Sequence, residues 1–320
     1  MIHIPVLFHE AMEHMAPKEG KIIIDATLGR AGHARGFLDR EAAVIGFDQD
    51  LEAINSVKET FGLVQIHDNP LIYKNNNFTV VHDNFKNLAP ALDLLGIKAV
   101  QGVFFDLGVS SPQFDDSERG FSYRFDTELD MRMDQTQELS AWDIVNSYDL
   151  ETLSKIIREY GEERFARRIA ASIVRNRPVD TTGQLTEIIK QAMPKKARED
   201  QHPAKRTFQA LRIAVNDELG ALEKGLNSAL EVLDTGGRLG VISFHSLEDR
   251  LVKNFFKAQE DPCICPRDLP ICACGKTPKL QIITKRPIQP SSEEIKLNRR
   301  SRSARMRIAE RITTREVGEW

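Results

Sequence analysis

The stretch "DATLGRAGH", residues 25–33, decides the fold, and it follows the apolar run Ile22–Ile24. That run is short and β-branched, so it predicts a buried strand that ends in an acid, Asp25. A loop with Gly29 and Gly32 comes next, and a helix is predicted to begin where the stretch ends. A strand that passes through a glycine loop into a helix is typical of an open α/β sheet, whose ligands lie at the carboxyl ends of the strands.

Apolar segments alternate with helical patterns through the first part of the chain. Further strands are predicted in "AAVIGFDQD" (42–50), "FTVVHDNF" (78–85) and "VQGVFFDLG" (100–108). Strands that alternate with helices indicate βαβ units and a parallel sheet. The intervening segment 62–77, "GLVQIHDNPLIYKNNN", is polar and rich in turn residues, so it predicts an exposed loop.

Helical patterns replace this alternation in the middle of the chain. The polar and helical segment 115–205 predicts an inserted all-α domain that serves substrate recognition. A helical pattern then runs without a break from 204 to 233, and strand patterns return at 236–246. We therefore predict an α/β fold in which residues 1–114 and 206–320 form one discontinuous sheet domain.

The segment 303–311, "SARMRIAER", predicts a final strand. Its alternation places Ala304, Met306 and Ile308 inward, and it places Arg305 and Arg307 outward, in solvent.

The bulk composition is that of a soluble protein. The 320 residues are 41% hydrophobic and 28% charged, with a net charge of −3. No apolar run reaches the roughly 18 residues of a membrane helix, and no secretory signal is evident, which predicts a cytoplasmic protein without a membrane partner. Disulfides are not expected there, so the four cysteines suggest a zinc site, with a reduced surface loop as the alternative; they are Cys263, Cys265, Cys272 and Cys274.

The glycine loop suits a phosphate, a dinucleotide or adenosylmethionine. The second strand ends at Asp48, where an acid accepts hydrogen bonds from ribose hydroxyls. The loop lacks the G-x-G-x-x-G spacing of a dinucleotide site, and Asp25 offers a counter-charge for a methionine ammonium. Asp83 and Phe85, after the third strand, are placed to bond and stack an adenine. Together these features favour S-adenosyl-L-methionine as the cofactor.

The fourth strand ends in "FFDLGVSSPQ", which predicts the acceptor site. An exocyclic amine is a poor nucleophile, so its enzyme must hold it in line with the methyl group and accept its hydrogens. A carboxylate beside a polar, proline-rigid turn supplies such acceptors. The candidate catalytic residues are Asp106, Ser110, Ser111 and Pro112, and the alternative is an ordinary loop with Ser-Pro turn chemistry.

At this point the chain resembles a known family, the small-subunit ribosomal RNA methyltransferase H family, which methylates N4 of a cytosine with adenosylmethionine. The matching stretches run in order from residue 3 to residue 311 and include "HIPVLFHEAM", "DATLGRAGHARGFL", "DLGVSSPQFDDSERGFSYRFDTELDMRMD", "HPAKRTFQALRIAVNDEL", "GGRLGVISFHSLEDRLVK" and "NRRSRSARMRIAER". The resemblance implies a Rossmann-like class I methyltransferase sheet with an inserted all-α domain.

The resemblance also implies which residues contact the cofactor. They join Asp25 and Gly29 in one candidate set: Ala31, Gly32, His33, Asp48, Phe85, Asp106 and Gln113. The family usually has glycine where this chain has Ala31, so we expect the φ angle of Ala31 to be negative.

The implied partner is small-subunit ribosomal RNA, within the assembled or assembling subunit, and a homodimer is left open. Phosphate contacts are expected from two basic groups, namely Lys195, Lys196, Arg198, Lys205, Arg206 and Arg212, and Arg299, Arg300, Arg302, Arg305 and Arg307. A flipped cytosine could stack on Phe114, Phe121 or Tyr123. The alternatives are a DNA or protein amino-methyltransferase and a non-catalytic RNA-binding ribosome assembly factor.

Overall fold

The computed structural model describes residues 5–108, 117–195, 202–266 and 273–313. The α-helices are α1 Phe8–Met15, α2 Gly32–Leu38, α3 Leu51–Phe61, α4 Leu88–Leu94, α5 Ala141–Ser147, α6 Leu150–Gly161, α7 Ala166–Arg175, α8 Thr182–Ala192, α9 Lys205–Asn216, α10 Glu218–Val232, α11 Ser246–Glu260 and α12 Ser292–Leu297. The strands are β1 Ile22–Asp25, β2 Ala43–Asp48, β3 Val64–Asp68, β4 Leu71–Asn75, β5 Phe78–His82, β6 Val100–Asp106, β7 Leu233–Ser243, β8 Leu280–Ile282 and β9 Arg305–Arg311. Across the described ranges, every helix is too short or too polar to cross a lipid bilayer.

One sheet holds the strands in the order β3-β4-β5-β2-β1-β6-β7-β9-β8. The central strands β5, β2, β1, β6 and β7 pair in parallel, and β9 pairs with β7 in the antiparallel sense. From β1 the chain passes to β2 and on to β3 at the sheet edge, and it returns inward through β4 to β5, which lies beside β2. It then crosses to β6 on the other side of β1. This reversal creates the crevice where open α/β sheets bind ligands, and the predicted Rossmann-like α/β class is confirmed.

The segment 62–77, predicted as an exposed loop, is instead a hairpin of β3 and β4. Strand β4 pairs with β5, and its residues Ile72 and Tyr73 are buried. Strand β3 lies at the edge of the sheet, and its side chains are mostly exposed. The loop prediction was wrong because an exposed edge strand needs no apolar face, and its sequence therefore carries no alternation signal.

The chain divides into two compact units. The first contains residues 1–108 and 221–320, and the second contains residues 109–220. In the first unit, apolar clusters cover both faces of the sheet, one around Phe47 and Phe105 and the other around Phe37 and Phe104. The second unit has a helical core of its own.

The pattern from 204 to 233, predicted as one helix, forms two. Asp217, with a φ angle of 46°, takes the left-handed conformation between α9 and α10 and ends the first helix. Apolar spacing continues across the break because both helices bury a face, so the periodicity alone did not reveal it. Helix α9 packs on α6 within the second unit, whereas the predicted domain boundary at 206 assigned it to the sheet domain.

The final strand, β9, is confirmed, but the outward placement of Arg307 was wrong. Its side chain is buried, and its guanidinium Nε and Nη2 donate to Asp249 Oδ1 and Oδ2 at 2.7 and 3.2 Å. Arg305 also donates to Asp249 Oδ2, at 3.2 Å. The consecutive β9 residues Met306, Arg307, Ile308 and Ala309 are all buried, so both faces of the strand are covered and alternation does not separate core from solvent.

Candidate active site

Three adjacent strands, β2, β1 and β6, end in aspartates at one edge of the sheet: Asp48, Asp25 and Asp106. The loop after β1 is tied to both neighbouring strands. Leu28 N donates to the carbonyl of Phe47 at 2.8 Å, and Asp106 N donates to Thr27 Oγ1 at 2.6 Å. These bonds hold the three carboxylates around one loop.

The loop turns into α2 through two residues in the left-handed region. Gly29 and Ala31 have φ angles of 51° and 60°. The expectation of a negative φ at Ala31 was therefore wrong. A residue with a Cβ pays roughly 1–2 kcal/mol for this conformation, and hydrogen bonds hold it, since Ala31 N donates to the Leu28 carbonyl at 2.8 Å. Gly32 has no room for a side chain, because a Cβ there would lie 2.6 Å from Pro5 Cγ.

Asp48 holds the loop as well as facing the crevice. Its Oδ2 accepts from Gly29 N at 2.7 Å, and its Oδ1 accepts from Asp50 N at 2.9 Å. Burial raises the pKa of Asp48 to about 6, although these two amides oppose the shift. A carboxylate has about four lone-pair sites, so two remain for a pair of ribose hydroxyls. The sequence pattern predicted that Asp48 binds the ribose, but it did not predict that Asp48 also accepts hydrogen bonds from the loop amides.

Asp25 is a buried carboxyl group with few partners. It is 1% exposed, and its Oδ1 lies 3.3 Å from the amide of Thr27. Burial raises the pKa of Asp25 to about 7, and the nearby Asp48 carboxylate also raises it, while the backbone amides of Thr27 and Ala34 oppose the shift. A cationic ligand group beside Asp25 would stabilise its ionised form.

The side chains of His33 and Asp106 lie close together. His33 Nε2 lies 3.0 Å from the carbonyl of Val6. A carbonyl oxygen only accepts, so Nε2 carries hydrogen and a neutral ring presents a lone pair at Nδ1. Nδ1 lies 3.4 Å from Asp106 Oδ2, a separation that a small rotation converts into a hydrogen bond. That bond needs one proton, either on Asp106 or as the second proton of an imidazolium.

The surroundings favour the proton on Asp106. Burial raises the pKa of Asp106 well above its ordinary value, and the carboxylates of Asp25 and Glu248 raise it further. Its Oδ1 is buried and has no hydrogen-bond partner within the described ranges. A buried polar atom without a partner is costly, and at the edge of the crevice it marks a place for a ligand donor.

Phe85 begins a 3₁₀ turn just after β5 and is half-buried. Its ring meets Phe105 edge to face, with centroids 5.4 Å apart. Gly225 on α10 makes room for it, because a Cβ there would lie 2.6 Å from Phe85 Cδ2. Asp83 Oδ1 accepts from Asn84 N at 2.7 Å and so shapes the same turn. Sequence reasoning missed Gly225, although a glycine inside a helical pattern is a signal of close packing.

The remaining sequence-predicted residues have different outcomes. Eight of them lie outside the described part of the chain: Ser110, Ser111, Pro112, Gln113, Phe114, Lys196, Arg198 and Cys272. Phe121 belongs to the core of the second unit and is 4% exposed, so the prediction that it stacks on a base was wrong. Tyr123 stacks on His202 at a centroid distance of 4.1 Å, and Arg212 pairs with Glu218 at 2.7 Å.

Three cysteine sulfurs lie together elsewhere, in the segment between α11 and β8. They belong to Cys263, Cys265 and Cys274.

Comparison with known proteins finds one matching family model, curated relatives and solved structures. The model of the MraW methylase family matches residues 1–312. The chain is 51% identical over 317 residues to the ribosomal RNA small subunit methyltransferase H of Halothermothrix orenii, covering 97% of this chain and 98% of that protein. It is 50% identical over 315 residues to the protein of the same name from Carboxydothermus hydrogenoformans, covering 97% and 98%. A crystal structure of an rRNA methylase from Streptococcus thermophilus superposes with a TM-score of 0.43 at 11% identity, covering 98% of this chain and 99% of that one.

Proposed function

The chain belongs to the MraW methylase family, and from this premise we propose that it methylates N4 of a specific cytosine in small-subunit ribosomal RNA. The resemblance stated from the sequence is confirmed by the family match and by relatives at about half identity. The reaction class is that of an adenosylmethionine-dependent rRNA methyltransferase. The DNA or protein amino-methyltransferase and the non-catalytic assembly factor are not favoured.

Bound adenosylmethionine would be held by residues at the ends of β1, β2 and β5. The two lone-pair sites left on Asp48 would accept the ribose hydroxyls, and Asp25 would be the counter-charge for the methionine ammonium. Phe85, whose position is set by Phe105 and Gly225, would pack against the adenine. Bound adenosylmethionine supplies a methyl group on a positively charged sulfur.

The observation that carries the acceptor site is the buried Asp106 Oδ1 without a partner in the described ranges. We assign this atom to the cytosine amine. When Asp106 Oδ2 holds the shared proton, Oδ1 is a carbonyl-type acceptor that orients one N4 hydrogen and thereby directs the nitrogen lone pair at the methyl group.

The proton balance follows from the same pair. The nitrogen forms a bond to the methyl carbon, the carbon–sulfur bond breaks, and its electron pair stays on sulfur. The nitrogen then holds one hydrogen too many and gives it to Asp106 Oδ1. The proton on Oδ2 passes to His33 Nδ1, which lies 3.4 Å away, and leaves an imidazolium bonded to the Val6 carbonyl. The His33–Asp106 pair later releases this proton to solvent, so the pair holds one shared proton both at the start and at the end of the cycle.

The target cytosine must leave its stack before its amine can reach the buried Asp106. Exposed arginines near the C-terminal strand supply phosphate contacts, and Arg307 does not, because it is buried against Asp249. The contacting set is Arg299, Arg300, Arg302 and Arg305. Binding is then expected to weaken steeply with salt. The assembly stage of the subunit, a cytoplasmic location and a homodimer stay predictions.

The test is methyl transfer from labelled adenosylmethionine to isolated small ribosomal subunits, with the product nucleoside identified by mass spectrometry. Duplex DNA and free ribosomal proteins serve as rival substrates. We expect N4-methylcytosine from the subunits alone. Label on DNA, on protein or on another nucleoside would refute the substrate assignment.

The roles of the pair are tested at saturating cofactor. Asp106→Asn keeps an acceptor oxygen but takes no proton, so we expect kcat to fall by about 10²-fold or more. His33→Gln keeps a donor to Val6 but accepts no proton at neutral pH, and its kcat should become steeply dependent on hydroxide concentration. A kcat within threefold of the parent for Asp106→Asn would refute the proton-acceptor role.

A further inference from the structure

The segment that joins α11 to β8 is described at residues 261–266 and 273–279. Its two ends are tied together at the base. Lys279 N donates to the carbonyl of Gln259 at 2.9 Å, and Ile282 N donates to Glu260 Oε1 at 2.8 Å.

Three cysteine sulfurs converge within this loop. The Sγ atoms of Cys263, Cys265 and Cys274 all lie within 4.8 Å of one another, and those of Cys263 and Cys274 are 4.0 Å apart. Zinc–sulfur bonds of about 2.3 Å in a tetrahedron place neighbouring sulfurs about 3.8 Å apart. The observed spacing therefore fits a common metal ion at the centre with only small side-chain adjustments.

The backbone around the cluster also favours thiolates. Ala273 N donates to Cys265 Sγ at 3.3 Å, and a bond of this kind stabilises the negative charge that a metal-bound sulfur retains. Between the first two cysteines, Ile264 is 70% exposed, so the chain turns an apolar side chain to solvent while the neighbouring sulfurs group together. Loss of apolar burial at Ile264 is consistent with a loop shaped by the sulfurs rather than by a hydrophobic core.

We propose that Cys263, Cys265 and Cys274 bind one zinc ion, which closes the loop between α11 and β8. Soft thiolate ligands select zinc over magnesium, calcium and manganese. The three described thiols carry this proposal. The ion has a structural role, since it cross-links a loop whose base is bonded to α11 and, through the Lys279 carbonyl and Ile312 N at 3.1 Å, to the residue that follows β9.

The first test measures metal in the full-length chain, purified without a histidine tag and under reducing conditions. We expect about one zinc per chain by elemental analysis. Cys263→Ser, Cys265→Ser and Cys274→Ser should each lower zinc affinity by more than about 100-fold, beyond the ~10–100-fold effect of an outer-shell change. Ile264→Ser is the matched control, because it alters the same loop, keeps all the thiols, and should retain the ion. Equal zinc in the parent and in the three serine variants would overturn the proposal.

The second test needs only the parent protein, so it holds even if the serine variants fail to fold. Cobalt exchanged into the site should give the intense thiolate-to-metal charge-transfer absorption of a sulfur-rich tetrahedral site. X-ray absorption of the zinc form should show at least three sulfur neighbours at about 2.3 Å. Fewer than three sulfurs, or no charge-transfer band with cobalt, would overturn it. Neither readout depends on methyl transfer.

Discussion

Replacement of Asp25 by asparagine is expected to stabilise the protein at alkaline pH and to weaken its hold on the cofactor. Asp25 is 1% exposed and its pKa is raised to about 7, chiefly by burial, from an ordinary value of 3.8. The folded state therefore binds this proton more tightly than the unfolded chain does. The stability it contributes is complete below about pH 4 and is lost as the pH rises through 7.

The size of the effect follows from that shift. Between about pH 5 and about pH 8, the titration of Asp25 removes ~3 kcal/mol from the free energy of unfolding. Asparagine has nearly the same shape and does not titrate, so Asp25→Asn escapes this loss. Denaturant unfolding of both proteins at the two pH values should show the variant gaining about 3 kcal/mol on the parent between them. Asparagine offers no charge to an ammonium, so calorimetry at the higher pH should show weaker adenosylmethionine binding.

Asp93→Asn is the control, because Asp93 is exposed on α4 and the same chemical change there should leave the pH dependence as in the parent. A difference between Asp25→Asn and the parent that stays constant from acid to alkaline pH would refute the reasoning. So would unchanged cofactor affinity, since the proposed ammonium contact would then contribute nothing.

Two further substitutions test packing and ion pairing. Gly225→Ala places a Cβ 2.6 Å from Phe85 Cδ2, so it should raise the adenosylmethionine Kd measured by calorimetry. Overpacking costs about 1–3 kcal/mol and the higher helix propensity of alanine offsets about 1 kcal/mol, so the free energy of unfolding should fall only slightly. Unchanged affinity would show that Phe85 does not contact the adenine. Arg307→Met removes the buried partner of Asp249 and leaves it paired with Arg305, so thermal unfolding should show the free energy of unfolding falling by up to about 3–5 kcal/mol. Adding Asp249→Asn should recover part of this loss. A further loss in the double variant would contradict the ion-pair explanation.

Local patterns in the sequence predicted the architecture because they report which side chains can be buried. Apolar runs that each end in an acid predicted β1, β2 and β6 together with Asp25, Asp48 and Asp106. The carboxyl ends of parallel strands share one edge of a sheet, so these acids were also expected to meet. The long motifs around residues 104–134 and 236–253 pointed to the family without any coordinates.

The errors arose where local patterns are uninformative. Strand β3 is an exposed edge, so it lacks alternation, and β9 is covered on both faces, so its alternation did not distinguish the buried Arg307. The positive φ of Ala31 depends on bonds that tie its loop to neighbouring strands. Each of these features is set by contacts with residues distant in sequence.

The sequence by itself determined the alternation of helices with β1, β2, β5 and β6, the acids that end β1, β2 and β6, and the family, because burial and chain turning follow from neighbouring residue types. Only the tertiary structure decided that His33 Nδ1 lies 3.4 Å from Asp106 Oδ2, that Gly225 makes room for Phe85, and that three cysteine sulfurs lie close together. The physical reason is that hydrogen bonding and packing act over a few ångströms in space. The residues they join are separated along the chain by distances that no local period records.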